Sequence, residues 1–203
     1  MQFLQITNLP KPTQQMCEMA LNLISSIPSS TVYDEIFAKA QKVLTRPVNM
    51  VSGDQIWEDE KFNQIMKNHY QKFFTIPIIS AGIIYFVNQD TVPACLPPHN
   101  HNVRTVALNF ILEPGGPNVS TVMYDHLRNI PLSEFFEFYD YSDLTKKAEV
   151  NSNNAEWYLF QSNRIHSVEN ILSRRVLIYL MFEPHHTVET VLANSKLEYN
   201  ILA

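Results

Sequence analysis

Several familiar function classes are excluded by what this sequence lacks. It has only two cysteines, Cys17 and Cys95, and neither belongs to a CxxC pair, so a zinc ribbon or a disulfide framework is not expected. Free thiols suit a reducing compartment, and a cytoplasmic location follows as an expectation. There is no run of Lys or Arg, and the net charge is −5. A nucleic-acid binder needs a basic surface, so none is expected here. No stretch approaches the roughly 18 apolar residues that span a bilayer, and the apolar run Ile76–Val87 is interrupted by Pro77, Ser80 and Gly82. The first ten residues lack the basic start and apolar stretch of a signal peptide. Internal repeats and low-complexity tracts are also absent. No Asp or Glu stands between Asp90 and Glu113, and this absence bears on the chemistry considered below.

The 203 residues, 45% hydrophobic and 17% charged, suit one domain with a sizeable core. Helical spacing is concentrated in the first third. Thr13 is a candidate cap for a helix carrying Met16, Met19, Ala20, Leu23 and Ile27 as far as Pro28. Ser30 or Thr31 could cap a second, with Ile36, Phe37, Ala40 and Leu44, which stops before Pro47. A third is expected from Asp54 to about Phe74, built on Ile56, Phe62, Ile65, Met66 and Tyr70. From Ile78 the apolar runs shorten, become rich in Val, Ile, Tyr and Phe, and are divided by Pro, Gly and Asn. Strands are predicted at Ile78–Val87, Arg104–Leu112, Ser120–Tyr124, Trp157–Gln161 and Val176–Phe182, with a turn at Pro114–Asn118 and a short helix over Leu132–Tyr139. The expected organisation is α+β: a helical part over residues 1–75, a β core over 76–183 and an extension over 184–203. In the extension, Val188, Val191 and Leu192 suggest a helix packing on the core or on a second copy of the chain, which makes a homodimer a candidate assembly.

His99-Asn100-His101, with His166 far downstream, is the chemically suggestive pattern. Alternate strand residues share a face, so His99 and His101 can point at one metal ion while His166 arrives from another strand. Imidazole suits iron, zinc, copper and nickel. An HxH pair in a Pro- and Asn-rich stretch is more often plain solvated loop; His185-His186 takes that reading, and His69 and His126 read as surface or cap residues. Strand parity supplies an independent check. Val106, Leu108, Phe110 and Leu112 form an apolar face that should meet the helices, leaving Thr105, Ala107, Asn109 and Ile111 to look inward. Likewise Val176, Ile178, Leu180 and Phe182 oppose Arg175, Leu177, Tyr179 and Met181. Without a bulge, the two histidines share the inward parity. An interior Arg175 needs an anionic partner: either a carboxylate ligand gripped in bidentate fashion or a structural acid such as Glu169. Arg174 has the opposite parity, and the two could exchange because parity at strand ends is fragile.

These stretches resemble the iron(II)/2-oxoglutarate-dependent dioxygenases, particularly the small ones common in phage and marine bacterial genomes. The resemblance rests on residues 98–104 (PHNHNVR) with Ala107-Leu108-Asn109-Phe110, on Asn163 to Asn170 (NRIHSVEN), and on Arg174-Arg175-Val176. It spans roughly Ile78–Phe182. It implies a double-stranded β-helix (a jelly roll of cupin-like type) with the N-terminal helices packed on one sheet and the site inside. By the same resemblance, His99 and His166 would be metal ligands, and Arg175 or Arg174 would bind the far carboxylate of 2-oxoglutarate. Fe(II) with 2-oxoglutarate would activate O2 to hydroxylate a C–H bond. The chain departs from the family at His101, which stands in the place of its Asp. A neutral imidazole supplies neither the charge nor the hard oxygen of a carboxylate.

Three readings follow. The first is a dioxygenase using Fe(II), 2-oxoglutarate and O2, with ligands His99, His101 and His166 and with Arg175, Arg174, Asn109 and Tyr179 near the cosubstrate. The second is a three-His cupin-type dioxygenase that needs no 2-oxoglutarate. Its usual motif carries a Glu and flanking glycines, whereas this chain has four glycines in all. The third is a non-catalytic jelly-roll binding or structural module with a degenerate metal site. Tyr85, Tyr124 and Arg104 are candidate substrate contacts for a small polar molecule or a peptide side chain.

Overall fold

Twelve strands and four helices emerge from this pattern in a computed structural model that describes residues 3–26, 32–56, 59–88, 90–101, 105–128, 137–152 and 155–203. The strands are β1 (Phe3–Ile6), β2 (Ser52–Ile56), β3 (Ser80–Val87), β4 (Ala94–Asn100), β5 (Val106–Pro114), β6 (Ser120–His126), β7 (Glu137–Phe138), β8 (Leu144–Asn151), β9 (Trp157–Gln161), β10 (His166–Ile171), β11 (Arg175–Met181) and β12 (Tyr199–Ile201). The helices are α1 (Gln14–Ser26), α2 (Val32–Val43), α3 (Glu60–Tyr70) and α4 (Val188–Ala193). Among the described residues no helix is long and apolar enough to cross a membrane.

A seven-stranded sheet runs β12-β1-β9-β5-β11-β3-β2, and a five-stranded sheet runs β7-β4-β10-β6-β8. Every pairing between these strands is antiparallel. Along the chain β3, β5, β9 and β11 enter the large sheet, while β4, β6, β8 and β10 enter the small one. That alternation winds the chain into the double-stranded β-helix, an α+β jelly roll with helices on one sheet. The outer face of the large sheet (Val106, Leu108, Phe110, Val176, Ile178 and Leu180) packs against Met16, Ala20 and Ile24 of α1 and Phe62, Met66 and Tyr70 of α3. Its inner face (Ala107, Ile111, Leu177 and Tyr179) packs against Leu96, Met123, Val150 and Val168 of the small sheet. Strand alternation alone assigns these faces correctly, because a period of two leaves each side chain only two choices.

Several expected elements differ. The third helix begins only at Glu60, where the Asp59 carboxylate accepts from the Phe62 amide at 2.7 Å. Residues 52–56 instead pair with β3 as an edge strand. The stretch from Ala94 to Asn100 is a strand despite Pro97-Pro98, and the ladder slips there, between His166–His99 and Val168–Leu96. Proline has no N–H to give, so a bulge is the natural accommodation. A second slip on β10 coincides with Asn170 at φ 63°, a conformation Asn tolerates. Glu137–Phe138 pair with β4 where a short helix was expected; residues 132–136 of that prediction lie outside the described set, as do Ser30 and Thr31. The first and last segments are not only helical, since β1 and β12 extend the large sheet. The Pro114–Asn118 turn is as predicted, and Gly115 supplies φ +84° while its carbonyl accepts from Leu172 and Ser173.

Candidate metal and anion site

The β-helix leaves a cavity between its sheets, lined by His99, His101, His166 and Arg175 among others. His99 and His166 are directly paired across β4 and β10. Their rings are 4.4 Å apart between centroids, and the His101 ring is 4.9 Å from His99 and 5.3 Å from His166. One ligand atom from each lies within 4.8 Å of the others. His99 Nδ1 is 2.8 Å from the Pro97 carbonyl, and His166 Nδ1 is 2.8 Å from the Arg164 carbonyl. Carbonyls only accept, so both rings donate from Nδ1–H, and a neutral ring then turns a lone pair inward at Nε2. A backbone carbonyl behind the ring is the usual support of a metal-binding histidine. His99 Nε2 lies 3.2 Å from His101 Nε2. Metal–imidazole bonds of about 2.1 Å place such nitrogens roughly 3–4 Å apart, so small side-chain rotations close the site around one ion. The residues fit a metal.

His101 follows β4 directly, its amide donating to Ser162 O at 3.1 Å. It is half-buried, whereas His99 and His166 are buried. The inward parity expected for the pair does not pass through β5, because His99 and His101 precede that strand on the other sheet. Their convergence comes from the β4 ladder and from the His101 amide's bond to Ser162. Phe160 packs edge-on against His166, with 5.4 Å between centroids, and Phe3 stacks on Phe160 at 4.9 Å.

Arg175 is 1% exposed. Nη1 donates to Pro114 O at 2.6 Å and Ser152 O at 3.0 Å, and Nη2 donates to Ser152 Oγ at 3.0 Å. Nε has no partner. Burial pulls its pKa down to about 10. Five N–H groups thus meet three acceptors, all uncharged, and capacity remains for an anion. Ser152 Oγ is also 3.1 Å from Thr121 Oγ1, and both residues line the cavity. Among the described residues lining it none is acidic. Glu169 does not serve Arg175; it accepts from Ser167 Oγ at 2.5 Å and Tyr141 at 2.8 Å. Arg174 forms a bidentate pair with Glu113 at the surface, at 2.6 and 2.5 Å, so of the two arginines Arg175 is the interior one.

The remaining candidates divide. Asn109 lines the cavity, and its buried Oδ1 has no partner. Tyr179 is on the inner face beside it, but its hydroxyl lies over Gly82 rather than among the cavity-lining groups. Tyr85 belongs to the core between sheet and helices, because its parity in β3 is opposite to that of Ile84 and Phe86. Tyr124 belongs to a separate cluster with Tyr139, Ile165 and Tyr141, and its hydroxyl is 3.2 Å from Ser167 Oγ. Neither tyrosine lines the cavity, so the fold does not bring them to the three histidines. Arg104 lies outside the described residues. The sequence reading missed Thr121, Ser152, Tyr158 and Phe160. Alternation within Trp157–Gln161 would have paired Tyr158 with Phe160 on one face, but nothing local marks Ser152, which sits in a polar loop.

No protein-family model matches the sequence, and no curated protein matches it significantly. Similar solved structures include a Pseudomonas putida prolyl-4-hydroxylase, at 10% identity over 90% of this chain and 92% of that one with a TM-score of 0.42. They also include an RmlC-like cupin protein from Desulfovibrio desulfuricans, at 14% identity over 64% of this chain and 81% of that one with a TM-score of 0.32. An oxalate oxidase matches at 11% identity over 91% of this chain and 75% of that one, with a TM-score of 0.35. Likeness at this level says nothing about the chemistry of the site.

Proposed function

We propose that this protein is an iron(II)- and 2-oxoglutarate-dependent oxygenase, with His99, His101 and His166 as metal ligands and Arg175 as the anchor for the cosubstrate's far carboxylate. The observation carrying this reading is one cavity that holds three converging imidazoles and a buried guanidinium, with no acid among the described residues lining it. Met123 stands opposite His166, and two residues before it in β6 Thr121, linked through Ser152 to Arg175, stands opposite Val168.

Iron bound there would couple oxidative decarboxylation of 2-oxoglutarate by O2 to hydroxylation of a C–H bond on a small molecule or side chain. The protein's part is placement. The Pro97 and Arg164 carbonyls fix the rings of His99 and His166. Arg175, steadied by Ser152, orients the dicarboxylate, and Asn109 offers its amide to the cavity. Phe86, Ile111, Phe160 and Leu177 exclude water from the cavity. Anaerobic titration with Fe(II) and 2-oxoglutarate tests this: a weak visible charge-transfer band and thermal stabilisation by both ligands are expected. Absence of both sinks the reading. That no described residue lining the cavity is acidic favours a second reading, a three-His metalloenzyme without 2-oxoglutarate. Tight metal binding with no response to 2-oxoglutarate would select it.

A further inference from the structure

We infer that this protein pairs with a second copy of itself through β12, the two strands meeting antiparallel at the edge of the large sheet. Among the described residues β12 has β1 as its single partner strand. Thr7 N donates to Glu198 O and Leu202 N donates to Phe3 O, so the even-numbered residues of β12 turn their backbone groups to β1. Those of Tyr199 and Ile201 point the other way, where no described strand meets them. Such an edge is a template for another strand. β8, an edge of the small sheet, is blunted by Lys146, Lys147 and Glu149, whereas residues 199–203 include no charged side chain.

The side chains select β12 itself as the incoming strand. Tyr199 and Ile201 stand opposite Ile6 and Leu4, both buried in the core that the helices share, and so continue that apolar face outward. They are nonetheless 44% and 64% exposed. Val188 and Val191 of α4, the other candidates for contact with a copy, are buried in the chain's own core. A two-fold axis at Asn200 sets Asn200 against the same residue of the copy and Tyr199 against the partner's Ile201. In that register the outward N–H and C=O groups of residues 199 and 201 meet one another, each donor facing an acceptor. The same register joins the two exposed side chains as an aromatic–β-branched pair, and the axis repeats it. Glu198 falls opposite the partner's Leu202, so no like charges are opposed.

Sedimentation velocity of the whole protein from micromolar to millimolar concentration should show a reversible dimer, of the weak class that a short contact strand allows. Ile201→Lys should raise the dimer dissociation constant by about tenfold or more, because each lost pair is lost twice. Ile201→Pro should act in the same direction, since it removes the outward N–H and leaves the pairing of residues 198, 200 and 202 with β1. Circular dichroism of both variants checks that the fold is kept. Opposed residues that share no hydrogen bonds lie about 4.5 Å apart between Cα atoms, within reach of a disulfide. Asn200→Cys should therefore cross-link the copies under mild oxidation, while Tyr199→Cys and the unsubstituted protein should not. A monomer throughout that concentration range overturns the inference. A dimer that both Ile201 variants leave unchanged, or that Asn200→Cys does not lock, overturns it too, because the copies then meet elsewhere.

Discussion

His99 and His166 face each other as a cross-strand pair, ring centroids 4.4 Å apart, each held from behind by a backbone carbonyl two residues earlier in its own chain. The Pro97-Pro98 bulge lies next to His99 in this ladder. Two strands of one sheet therefore fix both candidate ligands in place, and such prior placement would keep the cost of assembling a metal site low.

Substituting His99 or His166 by Ala should abolish metal uptake, measured by elemental analysis after dialysis against Fe(II) or Zn(II). The metal-free fold should survive, because each substitution removes the ring's hydrogen bonds and a modest volume, on the order of 1–2 kcal/mol in a urea titration. Retention of metal by both variants would show that the ion sits elsewhere.

The neighbouring arginines should behave in opposite ways. Arg174→Ala loses a surface pair with Glu113 and should cost less than about 1 kcal/mol, leaving stabilisation by 2-oxoglutarate intact. Arg175→Met should abolish that stabilisation. Its effect on unliganded stability should be small, because relief from burying a cation offsets the acceptors left at Pro114 and Ser152. Differential scanning fluorimetry with and without 2-oxoglutarate separates the two cases.

Gly82 is required by the ring that crosses it. A Cβ there would lie 2.4 Å from the Ile56 carbonyl oxygen and 2.5 Å from the Tyr179 hydroxyl. Gly82→Ala should destabilise by roughly 1–3 kcal/mol in chemical denaturation, and Gly82→Ala with Tyr179→Phe should recover only part of the loss, since the backbone contact remains.

Alkaline pH should weaken the fold. Burial raises the Cys95 thiol from 9.0 to about 12 and the Tyr124 phenol from 10.0 to about 12. Both keep their protons in the folded chain at a pH where the unfolded chain releases them, so stability is full below about pH 9 and falls from there to about 12. Arg175, with its pKa lowered from 12.5 to about 10, works the other way between those values, but fewer groups act with it. Cys95→Ala should show a shallower decline between pH 8.5 and 10.5 in urea titrations. An unchanged slope would contradict the assignment.

The sequence by itself determined the faces of the strands. Arg175, Leu177, Tyr179, Ala107, Asn109 and Ile111 are legible as interior because alternation is a local rule and their neighbours are uniformly apolar. The spacing of His99 and His101, and the need of a buried Arg175 for an anion, could also be read from residue chemistry. Tertiary structure decided what depends on partners remote in sequence. A stretch with two adjacent prolines became the strand that carries His99, because β10 and β7 pair with it. Residues 52–56 became an edge strand rather than helix because β3 offered a ladder. Arg174 was taken by Glu113, 61 residues away, Tyr85 turned to the helices, and Ser152 came beneath Arg175. Pairings of that kind are set by which backbone and side-chain groups find satisfied partners across the whole chain, and no window of local sequence contains that information.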